Sequence, residues 1–143
     1  VISPATLRGY RATTYAVTLP DQSLIGLRVN EPSAPADAFL HRCKAQSLTC
    51  LNAWNPRSKR WPVTRNMAAH QGLRRDLAAR GYIALPQLGV PERRNWRPEP
   101  GFAVLDLETE KAMALAERHG QFAILHYERG GVAELLLTRL AVT

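Results

Sequence analysis

Hydrophobic and polar positions along this chain change period several times, and each change marks an element. Residues 10–19 ("YRATTYAVTL") are rich in Tyr, Thr and Val and predict a strand. Pro20-Asp21-Gln22-Ser23 is turn chemistry, and "LIGLRV" (residues 24–29) resumes as a second strand, which predicts a hairpin. Ala36, Phe39, Leu40 and Cys43 then recur at helical spacing, behind Ser33 as an N-cap and Pro35 in the first turn. "SLTCLNAW" (residues 47–54) predicts a third strand. Thr64 is placed to cap a helix that runs to Gly81, with an internal Gly72 that costs on the order of 1 kcal/mol relative to Ala. Residues 82–85 predict a short strand and residues 86–100 a loop dense in Pro, Arg and Trp. "FAVLDL" (residues 102–107) predicts a strand, Thr109 caps the helix "EKAMALAERH", and Gly120 ends it. Residues 122–127 and 132–137 form a last hairpin across Glu128-Arg129-Gly130-Gly131.

The order is ββαβαββαββ. Hairpins at both ends around strand–helix–strand units predict an α+β fold with a mixed β-sheet and about three helices. At 143 residues the chain is read as one domain over residues 1–143, long enough to bury a core without disulfide or metal staples. Composition agrees: 45% hydrophobic and 22% charged residues describe a soluble globular chain. No apolar run approaches the roughly 18 residues of a membrane span. The first residues, "VISPATLRGYRATTYAV", show no basic segment leading into an apolar one, so a cytoplasmic location is expected. Cys43 and Cys50 do not form a C-x-x-C pair and read as reduced thiols.

Charge changes the picture more. Between residues 51 and 100 stand ten cations: Arg57, Lys59, Arg60, Arg65, Arg74, Arg75, Arg80, Arg93, Arg94 and Arg97. Against them are Asp76, Glu92 and Glu99, so this third carries the whole formal excess of +7. Trp54, Trp61 and Trp96 lie there too. The abundance of Arg over Lys also fits a GC-rich coding bias.

Several short motifs occur in order: "AWNPRS" (residues 53–58), Asn66, "GY" (81–82), "WRPEP" (96–100) and "HGQFAIL" (119–125). Together the set resembles a bacterial family of unknown function, DUF3293, over about residues 10–137. The resemblance implies a small cytosolic bacterial protein and no activity. The chain departs from the family pattern at Asn52, where Thr is usual, and at Phe122, where Asn is usual.

Two basic loops carry the candidate chemistry. In the first, a strand ends in Trp54-Asn55-Pro56-Arg57, and a helix N-terminus follows near Asn66. Backbone N–H groups and guanidinium forks so placed suit phosphate or carboxylate. The competing reading is a core Trp54, an Asn55 that caps its own turn, and solvated Arg side chains. In the second loop Arg93, Arg94, Trp96 and Arg97 suit stacking on bases and pairing with phosphates. The competing reading there is a Trp96–Pro98–Pro100 latch, with Glu99 paired to a nearby Arg.

Catalytic signatures are absent: there is no H-E-x-x-H, G-x-S-x-G or Walker loop, and no cofactor or metal motif. His70 lies one helical turn from Asn66 and would act as a base only if it faces the first loop. The expected site is therefore Trp54, Asn55, Arg57, Asn66, His70, Arg94, Trp96, Glu99 and Gln121, binding a nucleotide, a phosphorylated small molecule or a nucleic acid. An interaction module for an acidic protein partner, or a small enzyme with a pocket around Asn66, His70, Glu99 and Gln121, are the alternatives. Membrane association is not expected, since the helix in the basic third has no Lys/Arg face opposed to a bulky apolar one.

Overall fold

Among the described residues seven strands form the sheet, and five helices with a single 3-10 turn connect or flank them. The computed structural model describes residues 1–93 and 95–142. In chain order these are α1 (Pro4–Arg11), β1 (Thr14–Thr18), β2 (Leu24–Leu27), α2 (Ala34–Cys43), β3 (Ser47–Leu51), the turn Pro56–Ser58, α3 (Val63–Ala79), β4 (Ala84–Val90), β5 (Glu99–Leu105), α4 (Thr109–Arg118), β6 (Ala123–Glu128), β7 (Ala133–Leu137) and α5 (Arg139–Val142). One sheet takes all the strands in the order β2-β1-β4-β5-β3-β6-β7. The α+β class is as expected, with two corrections. Among the described residues the helices number five rather than about three, and every strand ladder is antiparallel rather than mixed, only the isolated Val29–Ala133 bridge being parallel.

Both extra helices are terminal. α1 has no fully buried residue; a Ser3–Pro4 cap starts it, with the Ser3 hydroxyl accepting from the Thr6 N–H. It takes Tyr10 and Arg11 out of the expected first strand. α5 is a single turn. The same cap logic holds where it was expected, with Ser33 Oγ accepting from the Ala36 N–H at the start of α2. In α3 and α4 the cap positions fall one or two residues earlier than expected, at Pro62 and Glu108.

The sheet separates two cores. Val17, Ile25, Leu27, Leu48, Cys50, Leu85, Ala103, Leu125 and Tyr127 share one face with Ala36, Phe39 and Leu40 of α2. Leu51, Phe102, Val104 and Ile124 share the other with Leu73 and Leu77 of α3 and Leu115 of α4. The sheet is also curled. Tyr15 on β1 and Leu135 on β7 line one cavity, although five strand spacings of ~4.8 Å would separate them by ~24 Å if the sheet were flat. Past the strand ends, Val29 bridges Ala133, with the Asn30 N–H donating to the Ala133 carbonyl at 2.7 Å. The α2 face is therefore concave. α2 covers part of it, and the cavity occupies another part.

Strand polarity then decides what gathers at the cavity's end. β3 and β4 both pair antiparallel with β5, so they run the same way and finish at the same end. β1 and β6 run against them and begin there. Four segments meet as a result: Tyr10 before β1, the loop after β3, the loop between β4 and β5, and the 119–121 turn before β6.

Candidate ligand-binding site

The loop after β3 is strained and held from several sides. Asn55 is left-handed (φ 44°) immediately before Pro56, where an extended backbone is normal. Arg57 (φ 56°) and Ser58 (φ 57°) are left-handed as well. Such conformations cost about 1–3 kcal/mol each and persist only when their surroundings over-determine them. Here the surroundings do. The Asn55 N–H donates to Asn66 Oδ1 at 2.9 Å, and Asn55 Oδ1 accepts from Asn66 Nδ2 at 2.8 Å and from the Trp61 N–H at 2.9 Å. Asn66, on the first turn of α3, is 1% exposed. From the other side the Arg57 N–H donates to the Gly120 carbonyl at 2.8 Å. Gly120 (φ +71°) packs so closely on Pro56 that a Cβ there would lie 2.8 Å from Pro56 Cβ.

Asn55 also reaches the second loop. Its Nδ2 donates to Glu99 Oε2 at 2.9 Å, and the Trp96 indole N–H donates to the same oxygen at 2.7 Å. Arg60 crosses between the loops, donating to the Asn95 carbonyl at 2.9 Å with its guanidinium 4.8 Å from the Trp96 ring centre. Burial raises the Glu99 carboxyl above its ordinary range, and the Asn55 and Trp96 hydrogen bonds pull it partly back.

Behind Glu99 lies a polar cavity of about 50 Å³ on the concave face, lined by Tyr10, Tyr15, Gln87, Glu99, Gln121 and Cys50 among others. Tyr10 links it to the first loop through a 2.9 Å hydrogen bond between its hydroxyl and Ser58 Oγ. The Tyr15 hydroxyl donates to the Tyr10 carbonyl. Burial raises both phenols, with the Glu99 charge adding to it, and pushes the Cys50 thiol up to about 12. Cys50 is thus neutral and a poor nucleophile. Gln87 is 4% exposed and sits opposite Gly101 on β5, where a Cβ would come within 2.6 Å of the Leu51 carbonyl and 2.9 Å of Gln87 Oε1. The glycine clears the space in which the Gln87 amide lies.

Eight of the nine expected site residues are described and divide into three groups, Trp54 falling with His70. Asn55, Asn66, Trp96, Glu99 and Gln121 are brought together, Gln121 by donating through Nε2 to the Trp54 and His119 carbonyls. Arg57 is exposed on the loop's outer side. His70 turns to the opposite face, stacked on Phe102 with ring centres 4.5 Å apart and edge-on to Trp54 at 6.2 Å. Its Nδ1 is buried without a partner, and burial, then the Arg74 charge, lowers its basicity. Arg94 lies outside the described residues. Glu99 pairs with neutral donors rather than with an Arg. Of the departures, Asn52 accepts the Trp54 N–H in a local turn and Phe122 is buried. Tyr10, Tyr15 and Gln87 were missed; the sign in the sequence was an inverted alternation in "LPQLGV", with Gln87 inward and Leu88 outward.

Among the described residues, Arg57, Lys59, Arg60, Arg65, Arg93 and Arg97 have no carboxylate within ion-pair distance. Two of them cover tryptophan faces instead, Arg65 lying 3.8 Å from the Trp61 ring centre and Arg60 over Trp96. Among the described residues no cluster of His, Cys, Asp and Glu could hold a metal ion, and no helix is long and apolar enough to cross a membrane.

Fold and site define an α+β protein with a curled antiparallel sheet, a polar cavity in its concave face and a basic double loop beside it. The chain belongs to the family described as protein of unknown function DUF3293, whose model matches residues 51–124, just over half of the chain. That span holds both basic loops, Asn66, Glu99 and Gln121. No curated protein and no solved structure matches the chain.

Proposed function

We propose that this protein binds a small phosphorylated or otherwise anionic ligand on the rim formed by residues 55–61, 93 and 95–97. The observation that carries this reading is an unneutralised cluster of cations on loops that the fold holds rigidly together. Strained backbone, the Asn55–Asn66 exchange and the shared Glu99 oxygen fix both loops, while their cations lack described acidic partners. Pre-ordered charge of this kind favours binding because little freedom is lost when the ligand arrives.

A small ligand is favoured over single-stranded nucleic acid by the tryptophans. A base stacks on an open aromatic face, and at Trp61 and Trp96 a face is already covered by Arg65 and Arg60. His70, one candidate base of the enzyme alternative, stacks on Phe102 rather than facing the loop.

Tryptophan fluorescence during titration with mononucleotides, inorganic phosphate and single-stranded DNA or RNA, at about 50 and 200 mM salt, tests this. The expected result is saturation by a mononucleotide or phosphate that survives the higher salt and weakens about tenfold in Arg57→Ala with Arg60→Ala. Response only to polymeric nucleic acid, collapsing with salt, would replace the small ligand by a nucleic acid. No response to any of them would overturn the proposal.

A further inference from the structure

The cavity behind the rim has a chemical preference of its own, and it is opposite in sign to the rim. Glu99 uses Oε2 for both of its hydrogen bonds, leaving Oε1 without a described donor. Gln121 is 8% exposed and donates through Nε2 to two carbonyl oxygens. Those partners fix which end of the amide is nitrogen, so Oε1 is the end left over. Gln87 is 4% exposed and its side-chain amide makes no hydrogen bond to a described residue. Two glutamines, each more than nine-tenths buried as a residue, thus line one small cavity with polar atoms that no described protein group uses and that solvent still reaches.

The unused atoms are mostly acceptors. Glu99 Oε1, Gln121 Oε1 and Gln87 Oε1 stand against two unused amide donors, Gln87 Nε2 and Asn52 Nδ2. Gln87 and Glu99 are diagonal neighbours on β4 and β5, since Gln87 pairs with Gly101 and Gly89 with Glu99. Long side chains meet at that spacing. Tyr10 and Tyr15 add aromatic wall. Carboxylate, amide oxygens and aromatic rings in one place are the complement of a cation that carries N–H donors.

We propose that this cavity is a binding site for a primary ammonium group, which donates its three N–H bonds to Glu99, Gln87 and Gln121. An ammonium carries three donors and no acceptor, which matches the inventory of unused oxygens. At about 50 Å³ the cavity suits a small head group. When ionised, Glu99 repels an anion from the same space. This site does not depend on the rim reading, because its ligand needs no negative group.

Titration of the ¹⁵N-labelled full chain with methylammonium chloride tests the proposal, with tetramethylammonium chloride and sodium chloride as controls at matched ionic strength. The readouts are the side-chain amide signals of Gln87 and Gln121 and the Trp96 indole signal. Methylammonium should shift all three saturably, while tetramethylammonium, which has no N–H, should not. Glu99→Gln should weaken binding about tenfold or more. Gln87→Met, which keeps the volume, should weaken it severalfold with the rest of the spectrum unchanged. Absence of saturable shifts, an equal response to tetramethylammonium, or unchanged affinity in both variants would overturn it. Arg57→Ala, whose side chain makes no described hydrogen bond to the cavity residues, should weaken nucleotide or phosphate binding and leave the methylammonium titration unaffected, so the two sites fail separately.

Discussion

Asn66 shows how one residue supports several others. Its side chain satisfies the Asn55 N–H, binds Asn55 Oδ1 and reaches the Trp61 carbonyl at 3.3 Å. Asn66→Ala leaves those groups without their partner and releases the strained turn, so stability should fall by about 1–3 kcal/mol; urea unfolding checks this, and a smaller loss would mean that water replaces Asn66. Gly101 is constrained differently. In Gly101→Ala the new Cβ meets the Leu51 carbonyl at 2.6 Å and Asn52 Cβ at 2.7 Å. Overpacking against backbone should cost about 1–3 kcal/mol, read as a lowered Tm. Glu99 has a pH signature. Its folded carboxyl is raised by burial, so the folded state holds its proton more tightly than the unfolded chain does. The stability it contributes is full below the ordinary Glu range and is lost as pH rises through the raised value. Glu99→Gln removes that slope, and unfolding curves from about pH 4 to 7 should shift in the variant's favour as pH rises. Parallel curves would contradict the burial. At this scale the sequence exposed residue type but not orientation. Asn66 and His70 sit one turn apart on α3, yet one faces the loop and the other stacks on Phe102.

Among elements, periodicity was legible where burial follows apolarity. The helix at Ala36, Phe39 and Leu40, the first and last hairpins and β3 stand where their patterns place them. β4 and β5 were cut short because their inner positions near the site are Gln87, Gly89, Glu99 and Gly101. Their outer ones include Pro86, Leu88 and Val90, which are exposed. Those two strands break the usual alternation where they serve the cavity, which is where sequence rules are expected to fail. α1 was missed because none of its residues is fully buried: Tyr10 is its contribution to the cavity wall, and a Ser-Pro cap starts it.

For the whole molecule, the antiparallel sheet explains why motifs spread from Tyr10 to Gln121 meet. Four segments at one end of the sheet lie together, and the curl folds them around one opening. The charge localised in residues 51–100 was visible in the sequence, but its division was not. Some cations cap tryptophans, others stand free on the rim, and a carboxylate sits behind them. The central claim is that the two basic loops act as one anion-binding rim. Mapping backbone amide shifts during titration with a mononucleotide tests it most directly. The account predicts that residues 55–61 and 95–99 shift together with Gly120 and Gln121, along one saturation curve, while Arg74, Arg75 and Arg80 on α3 stay still. Shifts spread over α3 as strongly as over the loops would contradict it and reduce the positive charge to a diffuse surface property.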